Sequence, residues 1–450
     1  MPDLARIVKA YDIRGVVPDE LDESLARDVG AAFVRVVNAS TIVTAHDMRE
    51  SSPGLARAFA EGAASQGADV IEAGLGSTDL LYYAAGSLDM PGAMFTASHN
   101  PAKYNGIKLC RAGAAPVGQD TGLADIRALV EKGVPPYDGP AGSITQREML
   151  SDYAAYMKKL VPGIESIRRL SVVVDAGNGM GGLTVPVVFD GLPVDLTSLY
   201  FELDGTFPNH EANPIEPENL RDLQAKVRAT KADIGLAFDG DADRCFVVDE
   251  RGEIVAPSVL TALIAVRELE KEPGATVIHN LITSHAVPEI VVEHGGKPVR
   301  TRVGHSFIKA TMAETGAVFG GEHSGHFYFR DFWRADSGML AALHVLAALG
   351  TTDTTLSALL AAYSRFVASG EINSEVADPT SKMAEVEAAF SGREGASVDH
   401  LDGLTVELPD GSWFNLRPSN TEPLLRLNVE APDEPTMRAL RDDVLGTVRG

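Results

Sequence analysis

The chain has 450 residues, 45% hydrophobic and 23% charged, a balance that argues against a disordered or membrane-spanning protein. With 63 Asp and Glu against 39 Lys and Arg, the net charge of −24 argues against nucleic acid or an anionic membrane as partner, but a local basic pocket would still accept a small anion. The only two cysteines, Cys110 and Cys245, make no disulfide framework, and the opening MPDLARIVKAYDIRG lacks a signal-peptide core, so a cytoplasmic setting without an obligate protein partner is expected.

In chain order, YDIRG (11–15) places Arg14 on an N-terminal loop. STIVTAHD (40–47) predicts a strand, SPGLARAFAEGAASQG (52–67) a helix with Pro53 in its first turn, and ADVIEAG (68–74) the next strand, which is a βαβ rhythm. GAMFTA (92–97) predicts a buried strand that runs into Ser98-His99-Asn100-Pro101. Pro101 has no amide hydrogen and pushes Asn100 away from helical geometry, and Gly106 adds freedom further on. Ser98 is therefore expected on a tight, exposed loop, where a hydroxyl either caps a turn or carries chemistry. Lys108 follows among loop residues.

KGVPPYDGPAGS (132–143) reads as a boundary. The rhythm restarts with LSVVVDAGNGMGG (170–182), ADIGLAFDGDADR (232–244) and CFVVDERGEIV (245–255), and again with VLTALIAVREL (259–269), ATVIHNLITS (275–284) and KPVRTRVG (297–304). The most apolar runs, 258–266 and 339–350, are too short to span a bilayer and suit buried helices. From about residue 370 apolar and polar residues alternate between Asp-Gly turns, an antiparallel pattern closed by a helix. The fold class is thus α/β: three wound α/β domains with mixed sheets (1–145, 146–250 and 251–368) and a smaller C-terminal α+β domain (369–450).

Three stretches carry chemistry. In AFDGDADRC, Asp239, Asp241 and Asp243 recur at every second position after an apolar strand, with Gly240 freeing the backbone. Three such carboxylates repel unless a hard divalent cation sits among them, and an all-oxygen set on a short loop suits Mg²⁺; the alternative is a solvated acidic turn. NLRPSNTEPLLRL gathers Arg417, Ser419, Asn420 and Thr421 on a loop, with Arg426 nearby: a planar fork and single donors matched to phosphate, or a capped hairpin turn. VFGGEHSGHFYF sets Glu322 and Ser324 where they can bind vicinal sugar hydroxyls, beside His323 and His326; a satisfied structural imidazole is the expectation for His323.

The chain resembles the α-D-phosphohexomutases over nearly its whole length. YDIRG (11–15), TASHNP (96–101), YNGIK (104–108), FDGDADR (238–244), VGHSFIK (303–309), GEHSGH (321–326) and RPSNTEP (417–423) stand in the family's order, nearest to its bacterial phosphomannomutase and phosphomannomutase/phosphoglucomutase branch. The resemblance implies four domains in a heart shape around a central cleft, with Ser98 carried as phosphoserine. It implies that Asp239, Asp241 and Asp243 hold one Mg²⁺ together with that phosphate. It further implies that a hexose 1,6-bisphosphate forms as intermediate and activator, turns end for end, and returns its other phosphate to Ser98. Arg417, Ser419, Asn420 and Thr421 would clamp the unreacting phosphate. Arg244 and Arg426 join the substrate-binding set, Glu322 and Ser324 would hold sugar hydroxyls, and His305 would line the pocket. Lys108 and His326 are the candidates for proton transfer, Lys108 needing a lowered pKa to act as a base, and Arg14 would stabilise charge.

Two stretches depart from the family pattern. AHDMR (45–49) lacks the usual first arginine, and GLGSTDLLYY (74–83) lacks the usual proline-rich turn; both are expected to alter loops without touching chemistry. The expected substrate is mannose phosphate, with glucose phosphate as a further candidate. A phosphoglucosamine mutase or a glucose-only mutase is the near alternative, and an aspartyl-phosphate sugar phosphatase the distant one.

Overall fold

Short β-branched runs and amphipathic stretches build wound sheets in this chain, for which a computed structural model describes residues 3–418 and 424–450, apart from the side chains of His305 and Ser306. The chain divides into two compact units, Met1–Ala256 with Ser324–Ser357, and Pro257–His323 with Ala358–Gly450. No helix among the described residues is long and apolar enough to cross a membrane.

The first unit opens with a six-stranded mixed sheet in the order Ile13–Val16, Tyr104–Cys110, Gly92–Phe95, Thr41–His46, Asp69–Leu75, Ile144–Gln146. Thr41–His46 runs parallel to Gly92–Phe95 and Asp69–Leu75, whereas Tyr104–Cys110 runs antiparallel to both of its neighbours. Arg14 and Lys108, expected on loops, both lie in strands, and Arg14 stands opposite Gly106 in the antiparallel pair. Gly106 is needed for closeness rather than freedom: a Cβ there would stand 2.6 Å from the Ile13 carbonyl oxygen and 2.8 Å from that of Thr96. The predicted helix over 52–67 forms as Ser52–Ser65, with proline in its first turn. It packs on the helix Glu23–Val37, which presents an apolar face that includes Leu25, Val29 and Phe33.

The second sheet of this unit orders Ile254–Val255, Cys245–Asp249, Ile234–Phe238, Leu170–Asp175 and Val194–Leu199. Ile234–Phe238 and Cys245–Asp249 form an antiparallel hairpin in which Phe238 faces Cys245. Residues 239–244 are therefore its tip. The helix Gly338–Gly350 is apolar apart from His344 and buried along its whole length, as suits a core helix.

In the second unit, Thr276–Asn280 pairs in parallel with Lys297–Thr301 and Phe319–Gly321. An antiparallel sheet follows in the order Val367–Glu375, Leu424–Ala431, Trp413–Pro418, Leu404–Glu407, Ser397–Asp399, with the helices Pro379–Phe390 and Glu434–Arg449. Leu404, Val406, Phe414, Leu416, Leu425 and Leu427 form its apolar core face, while Thr405, Trp413, Asn415, Asn428 and Glu430 between them are buried too.

Candidate active site

Ser98 follows the strand Gly92–Phe95 and takes a left-handed backbone conformation, φ 49°. A non-glycine residue in that region is strained, and such strain gathers at functional sites. The expected exposure of Ser98 is corrected: it is only 5% exposed, because other parts of the chain cover the loop. The hairpin tip lies against it, so that a Cβ on Gly240 would come within 2.3 Å of the Ser98 carbonyl oxygen. The need for glycine at 240 is thus close backbone approach.

That approach brings the Ser98 hydroxyl to the acidic tip. Ser98 Oγ donates to Asp239 Oδ2 at 2.8 Å across 141 residues of sequence. Asp239, Asp241 and Asp243 are all buried, which removes the solvated-turn alternative. Arg244 donates to Asp239 from its backbone N at 3.1 Å and from Nε at 2.9 Å. Lys108 Nζ donates to Asp241 Oδ2 and Asp243 Oδ2, at 2.7 Å each. Thr78 Oγ1 donates to Asp241 Oδ2 at 2.6 Å.

Two acceptors remain: Asp241 Oδ1 and Asp243 Oδ1 are buried without a hydrogen-bond partner. Buried unpaired carboxylate oxygens are costly, so this donor set fits a metal ion. One oxygen from each of the three aspartates lies within 4.8 Å of the others. Asp243, His326 and Asp336 form a second such group.

The electrostatics follow the same geometry. Burial raises the Asp239 pKa; Arg244 opposes the rise and the neighbouring carboxylates add to it. Burial is the largest single influence and disfavours charge on Asp241 and Asp243, yet Lys108 together with Thr78 at Asp241, and with His326 and Arg244 at Asp243, more than offsets it and both are lowered. Burial pulls Lys108 down, but Asp241 and Asp243 overcome this and raise it well above its ordinary value. The lowered pKa that a lysine base needs is therefore absent while the carboxylates bear directly on it. His326 is lowered, chiefly by burial. Its Nδ1 lies 2.9 Å from Ser324 Oγ, and its Nε2 3.8 Å from Asp243 Oδ1.

The serine loop has supports that sequence reasoning missed. Arg49 is 1% exposed and donates to the carbonyl oxygens of Ser98, Asn100, Pro101 and Tyr104 at 2.7–3.0 Å. Asp47 Oδ2 in turn accepts from Arg49 Nε at 3.2 Å. AHDMR, expected only to vary a loop, thus holds in Arg49 the residue that shapes the serine loop. GLGSTDLLYY, expected to do no more, supplies Thr78. A buried arginine bonded to loop carbonyls is a tertiary fact, and the nearest sequence signal is the Asp-x-Arg spacing itself.

His99 also went unassigned. Burial, Arg244 and Arg14 lower its pKa to about 3. Its ring is neutral, and its Nδ1 accepts from Arg244 Nη2 at 2.6 Å and lies 3.2 Å from Ser98 Oγ. Arg244, expected on the substrate, is engaged by Asp239 and His99 here. Arg14 donates to Asn100 Oδ1 at 2.5 Å and to Asp12 Oδ2 at 2.6 Å.

In the other unit, buried Glu322 accepts from Gly304 N at 3.2 Å and from Asn280 Nδ2 at 3.4 Å. His323 departs from expectation, for its Nδ1 is buried without a hydrogen-bond partner. Arg417, expected on a loop, lies in a strand paired with the one that holds Arg426, and both bond to Glu371. Ser419, Asn420, Thr421 and the His305 side chain lie outside the described residues.

Comparison with known proteins places the whole chain. The phosphoglucomutase/phosphomannomutase family matches in four parts: α/β/α domain I over residues 5–135, domain II over 151–252, domain III over 257–366 and the C-terminal domain over 371–447. The chain is 40% identical over 448 residues to a phosphomannomutase of Salmonella montevideo, covering 97% of each. It is 41% identical over 443 residues to one of Escherichia coli strain K12, covering 96% of each. A solved phosphoglucomutase/phosphomannomutase family protein from Burkholderia thailandensis superposes with TM-score 0.89 at 34% identity, covering 100% of this chain and 98% of that one. Nearly full-length identity at this level, with all four domains in order, makes this chain a member of the phosphoglucomutase/phosphomannomutase family, the α-D-phosphohexomutases.

Proposed function

We propose that this chain is a phosphomannomutase, an isomerase that interconverts mannose 6-phosphate and mannose 1-phosphate through a phosphoserine at position 98. The observation that carries this reading is the Ser98 hydroxyl bonded to Asp239 within a buried triad of carboxylates. A hydroxyl so placed can hold a phosphoryl group beside a cation, which is what phosphoryl transfer asks of a protein: positioning and neutralised charge. Relatives named phosphomannomutase at about 40% identity support mannose phosphate over the other hexose phosphates.

The metal in this reading is Mg²⁺, held by Asp239, Asp241 and Asp243 with an oxygen of the phosphoserine, and when bound it would neutralise charge on the phosphoryl oxygens. Thr78 and Lys108 hold Asp241, and Arg244 holds Asp239, so the carboxylates are oriented before a phosphate arrives. Lys108 and His326 flank Asp243: His326, its pKa lowered by burial, is the side chain we assign to accepting the sugar hydroxyl proton, and Lys108, kept protonated by Asp241 and Asp243, to donating one. Arg14, bonded to Asn100 of the serine loop, is assigned to charge stabilisation. In the other unit Glu322 is assigned to the sugar hydroxyls, and Arg417 with Ser419, Asn420 and Thr421 to the phosphate that is not reacting. Ser324 joins Glu322 in this assignment, and hexose 1,6-bisphosphate is the intermediate.

Intact-mass measurement tests the reading. The purified chain, incubated with a hexose 1,6-bisphosphate and Mg²⁺, should gain one phosphate, and Ser98→Ala should neither gain it nor turn over mannose 1-phosphate. A Ser98→Ala protein that remains active, or that still takes up phosphate on Asp239, would replace this reading with the aspartyl-phosphate one.

A further inference from the structure

The strands Trp413–Pro418 and Leu424–Ala431 set Arg417 directly opposite Arg426. Like charges facing each other across a strand pair are destabilising, so this register needs a compensating charge. The neighbouring strand Val367–Glu375 supplies it: Glu371 Oε2 accepts from Arg417 Nη2 at 2.8 Å, and Glu371 Oε1 lies 3.3 Å from Arg426 Nη1. One carboxylate thus spans both guanidiniums, and the trio keeps a net charge of about +1, for two arginines and one glutamate.

Two donors are left over. Arg417 Nε and Arg426 Nε are buried without a hydrogen-bond partner. Guanidinium donors left unpaired beside a carboxylate that already occupies an edge of each group suit a further anion with several oxygens. The field of Glu371 and Arg417 also reaches His323, whose Nδ1 is a third buried polar atom without a partner. The same carboxylate therefore bears on every one of these groups.

We propose that Glu371 is the affinity-limiting counter-ion of a phosphate clamp formed by Arg417 and Arg426. Its carboxylate occupies both arginines until a phosphate ester takes them over, so the ester is held loosely enough to leave and return by either end. This rests on the reading of Arg417 as a phosphate ligand. A phosphate that met an unopposed pair of arginines would bind more tightly and leave more slowly, to the detriment of turnover.

Calorimetric titration of mannose 6-phosphate into the full chain carrying Ser98→Ala, with and without Glu371→Gln, tests this. The expected result is binding tightened by about two- to fivefold, the scale of one partly exposed ion pair. With Ser98 restored, Glu371→Gln should lower KM by a similar factor without raising kcat, a split that loss of structure alone would not produce. Unchanged or weaker binding overturns the proposal. Arg417→Ala in the same background separates it from the reading beneath. If Arg417→Ala abolishes binding and Glu371→Gln fails to tighten it, only the role of Glu371 falls. If Arg417→Ala leaves binding unchanged, the clamp itself falls, and the role of Glu371 with it. Should Glu371→Gln melt too low to titrate, Glu371→Ala is read in the same way.

Discussion

Arg49 shows how much one buried side chain decides at this site. Its guanidinium draws four carbonyl oxygens of the serine loop inward, and it is paired by Asp47. Without it those four hydrogen bonds would be lost, although the Pro101 oxygen would keep Tyr104 N at 3.0 Å. Asp79 has a comparable place. Its carboxylate accepts from the hydroxyl of Ser77, from Tyr153 Oη at 2.8 Å and from Ser337 Oγ at 2.7 Å. Burial pushes its pKa up to about 6 in spite of those bonds. A carboxyl raised on folding is protonated more readily in the native than in the unfolded chain. Its stabilising contribution is therefore complete below the ordinary aspartate pKa of 3.8 and is lost as the pH rises through about 6. Denaturant unfolding of the parent and of Asp79→Asn between about pH 4 and about pH 7 should show the parent losing about 3 kcal/mol relative to the variant. That is the gap between 3.8 and about 6, taken at about 1.4 kcal/mol for each pH unit. A difference that stays flat across that window would mean that Asp79 is not perturbed.

Among elements, the hairpin Ile234–Phe238 and Cys245–Asp249 matters most, because its tip carries all three metal-binding candidates. Buried strands on both sides of the tip make it a rigid mount, and a mount of this kind suits phosphoryl transfer better than a free loop. Gly240 sets the distance from tip to serine loop. Adding a methyl there would force backbone apart, since the Ser98 carbonyl oxygen is only 2.3 Å from the new Cβ. Gly240→Ala should therefore lower kcat/KM by about 10²-fold or more, the usual consequence of a displacement near 1 Å at a reacting group. Its melting temperature should fall too, because the atom met is backbone and cannot swing aside. Steady-state kinetics beside a thermal melt checks this, and parental kcat/KM in Gly240→Ala would show that the close approach is not what positions Ser98.

For the whole molecule, the acidic charge of −24 and the candidate metal site meet in one measurable quantity, stability. Three carboxylates buried within one loop repel one another, and Lys108 and Arg244 offset only part of that. A cation that binds the folded chain and not the unfolded one stabilises it by mass action, by about 2.7 kcal/mol at a hundredfold excess over Kd. Added Mg²⁺ should raise the melting temperature of the parent, a chelator should reverse the gain, and Asp241→Asn should abolish it. A parent whose melting temperature ignores Mg²⁺ would count against the triad as a metal site.

Much of this was legible in the primary structure. The strand and helix rhythm, the helix over 52–67, the antiparallel C-terminal domain and the seven ordered motifs all depend on local periodicity or on residue identity. Such signals need no partner from elsewhere in the chain. The aspartate alternation likewise pointed to a candidate cation site, with a solvated acidic turn as the alternative until burial was known. The rest needed tertiary structure. That Ser98 is buried, that Gly106 and Gly240 serve close backbone approach, that Arg49 and Thr78 hold the site and that Glu371 spans two arginines are all contacts between residues far apart along the chain. Hydrophobic pattern determines which segments are strands and helices. Which polar side chains end up unpaired or shared between them is settled only when the strands are placed in register and buried donors and acceptors must find one another.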